Sequence, residues 1–342
     1  MLRFTTNVLQ KNIHWAMQKY LHTIKKNSFS KSLFLNSTTF LSRRYFVSDQ
    51  KVEDANNLNT LLKEAEKEVK VSNFSKAMKI YSNALEISKQ KFGPKSQEAA
   101  ISLNCMGQLL QLQGKFKDAI QTYEEAIEII SAEREEENML LLATLYNNLG
   151  IIYQLLQDYE NCIAYLKKAL NILNDYASED IESIANIHLT LGKNYLYRDD
   201  LENSRQHLLK SLELLLQKYD EDDPQMGTLY LEIGFLFEKE GDSEEALKYK
   251  EKGVALCEKK YGEDNFMMCP IYANLGDLYE ALRLYPEALE YYQKSFDLAI
   301  KKYGNEPNIQ VAMVLSYIGN AYCHLENNEK SLEHFQKSLE MF

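Results

Sequence analysis

The amino-acid sequence predicts an all-α fold, an α-solenoid of about seven helix-turn-helix repeats. Three observations support this prediction. Glycine and proline are scarce, with 13 and 5 among 342 residues, and charged residues make up 26% of the chain; this composition suits long helices. Small residues recur every 42 or 43 residues from about Leu58 onward, and turn-forming residues lie between them. A fixed period of this length is typical of repeat architectures.

Three columns of small residues define the repeat. The first column is Ala65, Gly107, Gly150, Gly192, Gly234, Gly276 and Gly319. The second column lies 12 residues later, at Ala77, Ala119, Cys162, Ser204, Ala246, Ala288 and Ser331, and the third lies seven further on, at Ala84, Ala126, Ala169, Ser211, Gly253, Ser295 and Ser338. Antiparallel helices approach closely only where side chains are small. We therefore expect the first column midway along the first helix of each repeat, helix A, and the other two on one face of the second, helix B.

Larger residues and turn residues fit the same register. Helix B supplies one large residue from an equivalent position in six repeats, namely Tyr81, Tyr123, Leu166, Leu208, Tyr292 and Phe335. Lys250 takes this position in the fifth repeat, where looser packing is expected. Gly114 and Gly241 mark turns from helix A to helix B, and Pro286 can open a helix B. Gly93, Gly262 and Gly304 mark helix B ends, where glycine can adopt the left-handed conformation.

These residues resemble the tetratricopeptide repeat (TPR) pattern, which has small residues at positions 8, 20 and 27 of each repeat. The usual TPR period is 34 residues, whereas the 42-residue version is similar to the kinesin light chain subclass. Asn147-Asn148-Leu149-Gly150 and Ala273-Asn274-Leu275-Gly276 match the Asn-rich helix A of that subclass. The resemblance covers residues 58–342 and implies a right-handed superhelix. It says little about function, because repeat scaffolds serve many partners.

The first 48 residues differ in composition from the rest of the chain. They contain no acidic residue and eight basic ones: Arg3, Lys11, Lys19, Lys25, Lys26, Lys31, Arg43 and Arg44. This is the composition of a mitochondrial transit peptide, and Arg44-Tyr45-Phe46-Val47-Ser48 resembles a processing site with cleavage after Phe46. The alternative is a basic, disordered arm on a cytosolic protein. The predicted organisation is a transit peptide or basic arm at 1–48, a linker at 49–57 and the TPR superhelix at 58–342.

Charge restricts the partners of the remaining chain. Residues from 49 onward hold 31 basic and 50 acidic residues, a net charge of −19. Such a body repels phosphate backbones, so no nucleic-acid partner is expected, and a basic protein surface is favoured instead. No stretch approaches 18 uninterrupted apolar residues, so no transmembrane segment is predicted.

The TPR resemblance implies a binding groove lined by helix A at three positions, three before, one after and four after each first-column residue. Amides there can hydrogen-bond the backbone of an extended peptide, apolar residues suit an amphipathic helix or apolar strand, and acids suit a basic ligand end. The amides are Asn104, Gln108, Gln111, Asn147 and Gln154; the apolar residues are Ile151, Leu189, Leu196, Leu231 and Phe235; the charged residues are Lys193, Glu238, Asp277 and Glu280. We call these 14 residues the predicted groove residues. The alternative is that superhelical curvature or the N-terminal arm of the chain covers the apolar ones.

Catalytic and metal-binding motifs are absent from the sequence. It has no phosphate-binding glycine loop, no G-x-S-x-G and no H-E-x-x-H, so no enzyme activity and no cofactor are predicted. The five cysteines form no C-x-x-C pair and are interpreted as reduced packing residues. His188 lies on a packing position of helix A, which favours a core role over a metal role. No lysine–asparagine pair stands at the groove positions, which argues against a receptor for chaperone C-termini.

Two functions of different classes fit these features. The first is a mitochondrial scaffold, in the matrix or peripherally on the inner membrane, that acts as an assembly factor or accessory subunit of a respiratory complex. A mitochondrial head joined to 42-residue repeats also resembles TPR assembly factors of respiratory complex III. The alternative is a cytosolic cargo adaptor of the kinesin light chain type, but such adaptors carry an N-terminal heptad coiled coil and residues 1–57 show no sustained heptad. A permanent structural subunit without an assembly role is a third option.

Overall fold

All regular secondary structure in the described part of the chain is helical, which confirms the all-α class. The computed structural model describes residues 49–131 and 136–341, and these residues form fourteen α-helices and one short 3-10 helix, with no strand among them. The A helices are α1 (Asp49–Lys70), α3 (Gln97–Leu112), α5 (Glu136–Leu155), α7 (Ile181–Tyr197), α9 (Gly227–Glu240), α11 (Met268–Ala281) and α13 (Ile309–His324). The B helices are α2 (Phe74–Lys91), α4 (Phe116–Ile130), α6 (Tyr159–Tyr176), α8 (Leu201–Leu215), α10 (Ser243–Tyr261), α12 (Tyr285–Tyr303) and α14 (Asn328–Glu340).

The helices belong to two compact units, and the boundary between the units falls inside α7. The first unit ends at Ile187 and the second begins at His188. In the first unit the core follows the hairpins in order, with one cluster around Tyr81 and Leu109 and another around Tyr123 and Leu145. In the second unit one cluster, which includes Tyr292 and Ile318, continues from α10 to α13.

Close helix crossings explain the first column of small residues. A Cβ atom added to Gly107 would lie 2.5 Å from Tyr123 Cε1, and one added to Gly276 would lie 2.6 Å from Tyr292 Cε1. Both distances are shorter than van der Waals contact, so the large helix B residue packs directly on the glycine of its own hairpin. The expected position of this column, midway along helix A, is confirmed.

Lys250 does not loosen the fifth repeat. Its side chain is only 5% exposed, and its Cγ would lie 2.6 Å from a Cβ atom added to Gly234. The aliphatic stem therefore fills the space that the tyrosine ring fills in the sixth repeat. The ammonium group forms an ion pair with Glu238 and approaches the Asn274 carbonyl oxygen at 3.5 Å. The expectation of looser packing at this position is wrong, because the charged end has partners.

All seven A-to-B turns share one backbone conformation. One residue, one or two positions after the end of helix A, has positive φ in every hairpin: Ser72, Gly114, Gln157, Asp199, Gly241, Arg283 and Glu326. Its amide and the next one donate to carbonyls three and five residues back, as in Gly241 to Glu238 and Asp242 to Phe237, which is the Schellman motif. The turns predicted at Gly114 and Gly241 are confirmed, and five further turns have the same geometry without glycine.

The remaining predicted helix ends and segment boundaries can be compared with the structure. Gly93, Gly262 and Gly304 have positive φ after their helices, and Pro286 lies in the first turn of α12, as expected. The segment 49–57, predicted as a linker, forms the first turns of α1. The predicted transit peptide at 1–48, with its processing site, lies outside the described residues. Among the described helices, none is both long and apolar enough to cross a membrane.

Candidate partner-binding site

The predicted groove residues of the first unit lie on α3 and α5, two neighbouring A helices. Asn148 Nδ2 donates a hydrogen bond to Asn104 Oδ1 at 2.9 Å and so joins the two helices. Asn104 is 0% exposed and Gln108 is 3% exposed, so these two amides lie between helices rather than on a surface. Ile151 is also buried. The structure therefore places three of the six groove residues of this unit inside the packing.

Three amides of the first unit remain partly accessible. Gln111, Asn147 and Gln154 are half-buried. Gln111 Oε1 accepts a 3.3 Å hydrogen bond from the Tyr123 hydroxyl group, which reaches it from helix B. Gln111, Asn147 and Gln154 are thus accessible enough for the predicted hydrogen bonds to a peptide backbone, whereas Asn104 is not.

The apolar groove residues of the second unit differ in exposure. Leu196 is 1% exposed, while Leu189, Leu231 and Phe235 are half-buried. The Phe235 ring lies 5.9 Å from both Lys239 Nζ and Lys250 Nζ, and ammonium groups at this distance are attracted to an aromatic face. Leu189, Leu231 and Phe235 are therefore the partly accessible apolar side chains of this part of the predicted groove.

Lys193 does not present a free cation beside these residues. Its Nζ lies 2.5 Å from Glu232 Oε1, and both side chains are less than a fifth exposed. Burial opposes the charge on Lys193, but the Glu232 carboxylate and the Tyr197 hydroxyl group outweigh it and raise the pKa of the lysine. The ion pair links α7 to α9, so Lys193 has a structural role whether or not it contacts a ligand.

Two of the three acidic groove residues, Asp277 and Glu280, lie together in the sixth repeat. The Tyr292 hydroxyl oxygen lies 2.8 Å from Asp277 Oδ1 and 2.8 Å from Glu280 Oε2. Glu280 Oε1 is 3.4 Å from His324 Nε2, whose ring stacks on Tyr285. Burial raises the pKa of Asp277 to about 6. Nearby Glu280 adds to this increase, while the Tyr292 hydroxyl group and Lys250 oppose it.

Helix B contributes side chains to this face that the sequence did not predict as site residues. Tyr123, Lys250 and Tyr292 cross the glycine of their hairpins and reach Gln111, Glu238 and Glu280 respectively. In each pair the two residues are 12 positions apart. A polar helix B residue 12 positions after a polar groove residue is therefore the sequence signal that could have identified the contact.

His188, His207 and four of the five cysteines lie at packing positions. His188 Nδ1 and His207 Nδ1 are 2.9 Å apart, and the His207 ring stacks on Tyr195. Burial, with smaller contributions from His207 and Lys210, lowers the pKa of His188 to about 4. All five cysteines are free thiols and four are buried. In the described ranges, no three His, Cys, Asp or Glu side chains gather in a metal-binding arrangement.

The described residues form seven helical hairpins, six of them with a glycine at the close helix crossing, and a helix A face of mixed chemistry, which define a helical-repeat protein. The tetratricopeptide repeat family model matches residues 59–132, 141–217, 183–259, 225–301 and 266–342. The chain belongs to the tetratricopeptide repeat family, and the TPR resemblance drawn from the small-residue columns is confirmed.

Solved structures show the same fold. BtubC (BKLC) from P. vanneervenii is 17% identical over 73% of this chain and 94% of its own, with a TM-score of 0.53. A TPR protein from Parabacteroides merdae is 17% identical over 84% of this chain and 93% of its own, with a TM-score of 0.55. The nearly identical TPR-like repeats of a candidate kinesin light chain from Podospora anserina are 15% identical over 60% of this chain and 96% of their own, with a TM-score of 0.51.

These similarities support the kinesin-light-chain-like subclass at the level of fold alone. A search of curated proteins finds no match to the chain. The predicted resemblance to mitochondrial assembly factors of respiratory complex III therefore has no support among the relatives found.

Proposed function

We propose that this protein is a non-catalytic mitochondrial scaffold that holds a basic and apolar segment of another protein on the helix A face of its repeats. In this role it serves as an assembly factor or accessory subunit of an inner-membrane respiratory complex, which it meets peripherally. TPR repeats indicate a protein-interaction scaffold. The mitochondrial location and the respiratory complex as partner are what this proposal adds to the family assignment.

The helix A face of the second unit is the observation that carries the proposal. It combines half-buried apolar side chains at Leu189, Leu231 and Phe235 with the carboxyl groups of Asp277 and Glu280. An amphipathic segment with basic residues next to apolar ones complements such a face. The net charge of −19 from residue 49 onward favours the same class of partner, because it increases the rate of encounter with basic surfaces.

Mitochondrial import is supported by the acid-free, basic composition of residues 1–48. The test is a fusion of residues 1–48 to a fluorescent reporter, with a matched fusion in which the eight basic residues are changed to glutamine. The expected result is mitochondrial signal for the first fusion and diffuse signal for the second. Diffuse cytosolic signal from the unchanged segment would sink the localisation proposal.

Partner capture is tested by pull-down of the tagged full chain from gently solubilised mitochondria, with mass spectrometry of the recovered proteins. The expected result is recovery of one respiratory complex by the wild type and its loss with Phe235→Glu or Leu231→Glu. Leu209→Glu is the matched control, because Leu209 lies on helix B of the same unit and is 48% exposed. Circular dichroism shows whether each variant is folded.

Two results would contradict the proposal. Equal recovery with Phe235→Glu and with Leu209→Glu, both folded, would show that the helix A face does not hold the partner. Recovery of motor proteins instead of a respiratory complex would favour a transport adaptor over the scaffold.

A further inference from the structure

The sixth repeat places a single buried hydroxyl group between two carboxyl groups. The Tyr292 side chain is 0% exposed, and its oxygen lies 2.8 Å from both Asp277 Oδ1 and Glu280 Oε2. A phenol has one O–H and can donate to one acceptor at a time. If both carboxyl groups were ionised, one of them would face the phenol oxygen with no proton between two acceptors. Both contacts are hydrogen bonds only when one carboxyl group is protonated and donates to Tyr292.

The charges around this group indicate which carboxyl group is protonated. On α13, His324 Nε2 lies 3.4 Å from the other oxygen of Glu280, so Glu280 has a polar partner besides Tyr292. The Tyr317 ring, also on α13, stacks on the Tyr292 ring with 5.3 Å between the ring centroids. From α9 and α10 come Glu238 and Lys250, which pair with each other and largely cancel. Asp277 is thus the group that gains least from ionisation.

We propose that Asp277, Tyr292 and Glu280 form a clamp between α11 and α12 that holds one proton in mildly acidic solution and releases it as the pH approaches neutrality. Release of the proton makes the helix A face of the sixth repeat more negative by one unit. It leaves two carboxylates with only the Tyr292 hydroxyl group between them. The raised pKa of Asp277, about 6, agrees with this arrangement. The clamp is a property of the fold and stands whether or not this face binds the proposed segment.

The second repeat supplies a version of the same arrangement that cannot titrate. Gln108 and Gln111 stand at the positions of Asp277 and Glu280, and Tyr123 stands at the position of Tyr292. The Tyr123 hydroxyl group donates to Gln111 there. Asp277→Gln and Glu280→Gln therefore copy side chains that the chain already accommodates around a buried tyrosine.

The clamp predicts a definite sign for the dependence of stability on pH. An unfolded aspartate releases its proton near pH ~4, whereas folded Asp277 keeps its proton to about pH 6. Between these values the folded state binds more protons than the unfolded state, so stability falls as pH rises. The contribution is complete below the unfolded pKa and is lost as pH rises through the folded pKa.

The first experiment measures carboxyl titration directly in the full chain by ¹³C NMR, with ¹³C at the aspartate side-chain carboxyl. The expected result is one aspartate resonance that titrates near pH 6 in the wild type and is absent from Asp277→Gln. In Glu280→Gln the same resonance should titrate at lower pH, because the neighbouring negative charge is gone. Midpoints below pH ~5 for every aspartate, or an unchanged midpoint in Glu280→Gln, would overturn the clamp.

A second experiment reads the same proton through stability. Urea unfolding of wild type and Asp277→Gln is compared from pH 4 to pH 7.5, and the ratio of their unfolding constants is followed. We expect this ratio to change by on the order of 100-fold across the range, because the proton is held over about two pH units. Parallel profiles for the two folded proteins would contradict the clamp.

Discussion

The turn between α11 and α12 allows a direct test of how the hairpins are closed. Arg283 has φ of 63° there, a left-handed conformation, and Leu284 occupies the N-cap of α12 without a capping hydrogen bond from its side chain. The turn of the fifth repeat has Gly241 and Asp242 at the same two positions, and the Asp242 carboxylate accepts from the Glu245 amide at 3.2 Å. The double variant Arg283→Gly/Leu284→Asp gives the turn of the sixth repeat the same two residues as the turn of the fifth.

The expected gain follows from two separate effects. A left-handed conformation costs a residue with a side chain about 1–2 kcal/mol, and glycine returns about 0.5–1 kcal/mol of that in backbone entropy. The net gain at position 283 is therefore about 0.5–1 kcal/mol. An aspartate at the N-cap can accept from the amide three residues later and adds about 1 kcal/mol. The sum is about 1.5–2 kcal/mol for the double variant, if the adjacent sites act independently.

Native-state hydrogen exchange suits this test, because opening of a repeat array is local. Amides of α11 and α12 are expected to exchange roughly 10–30-fold more slowly in the double variant than in the wild type. The matched control is the reverse exchange, Gly241→Arg/Asp242→Leu, which should accelerate exchange in α9 and α10 by a similar factor. No slowing in α11 and α12, or a change of exchange rate in the same direction for the forward and the reverse variants, would refute the assignment of these turns.

Three further changes test the packing of single hairpins by thermal or urea unfolding. Gly107→Ala should destabilise by about 1–3 kcal/mol, since its new Cβ meets the Tyr123 ring; no loss would show that the ring moves freely. Lys250→Ala should lower the free energy of unfolding by about 2–3 kcal/mol, because it leaves a cavity and an unpaired Glu238. Lys250→Tyr, which copies Tyr292, should be nearly neutral. Equal losses of stability in the two variants would refute the pairing of residue 250 with Glu238. The pKa of His188 is lowered to about 4, so its contribution is present above the unfolded value near ~6.5 and is lost as pH falls through about 4. His188→Tyr, which copies Tyr146, should therefore lose less melting temperature between pH 7 and 4.5 than the wild type does; an equal loss would refute the assignment.

The repeat could be predicted from the sequence because its signal is the size of side chains at fixed spacing. Glycines that recur in register, such as Gly107 and Gly276, predict close helix crossings, and these crossings fix the positions of the helices in each repeat. The turn conformation was predicted only where glycine reveals it, at Gly114 and Gly241. At Arg283 the helices on either side impose the same backbone conformation. The residue type there does not predict a positive φ.

The exposure of the groove residues could not be predicted from their column alone. Asn104 and Asn147 occupy the same helix A position in successive repeats, yet one is fully buried and the other is half-buried. The difference arises because Asn104 faces Asn148 of the next A helix, a contact between repeats that a single-repeat pattern does not contain. Prediction of such a face therefore needs the neighbouring repeat as well as the column.

The packing rule and the chemistry of the helix A face are connected through the glycine column. Where the first-column residue is glycine, the large helix B residue lies close enough for its polar end to reach the groove position four residues after that glycine. Gln111, Glu238 and Glu280 each receive a polar group in this way, whereas in the fourth repeat the residues at the two equivalent positions, Leu196 and Leu208, are both apolar and buried. In these three glycine-containing hairpins, a polar helix B residue therefore meets a polar groove residue that accepts from it. The residue that closes each hairpin therefore also restricts what that hairpin can offer to a partner.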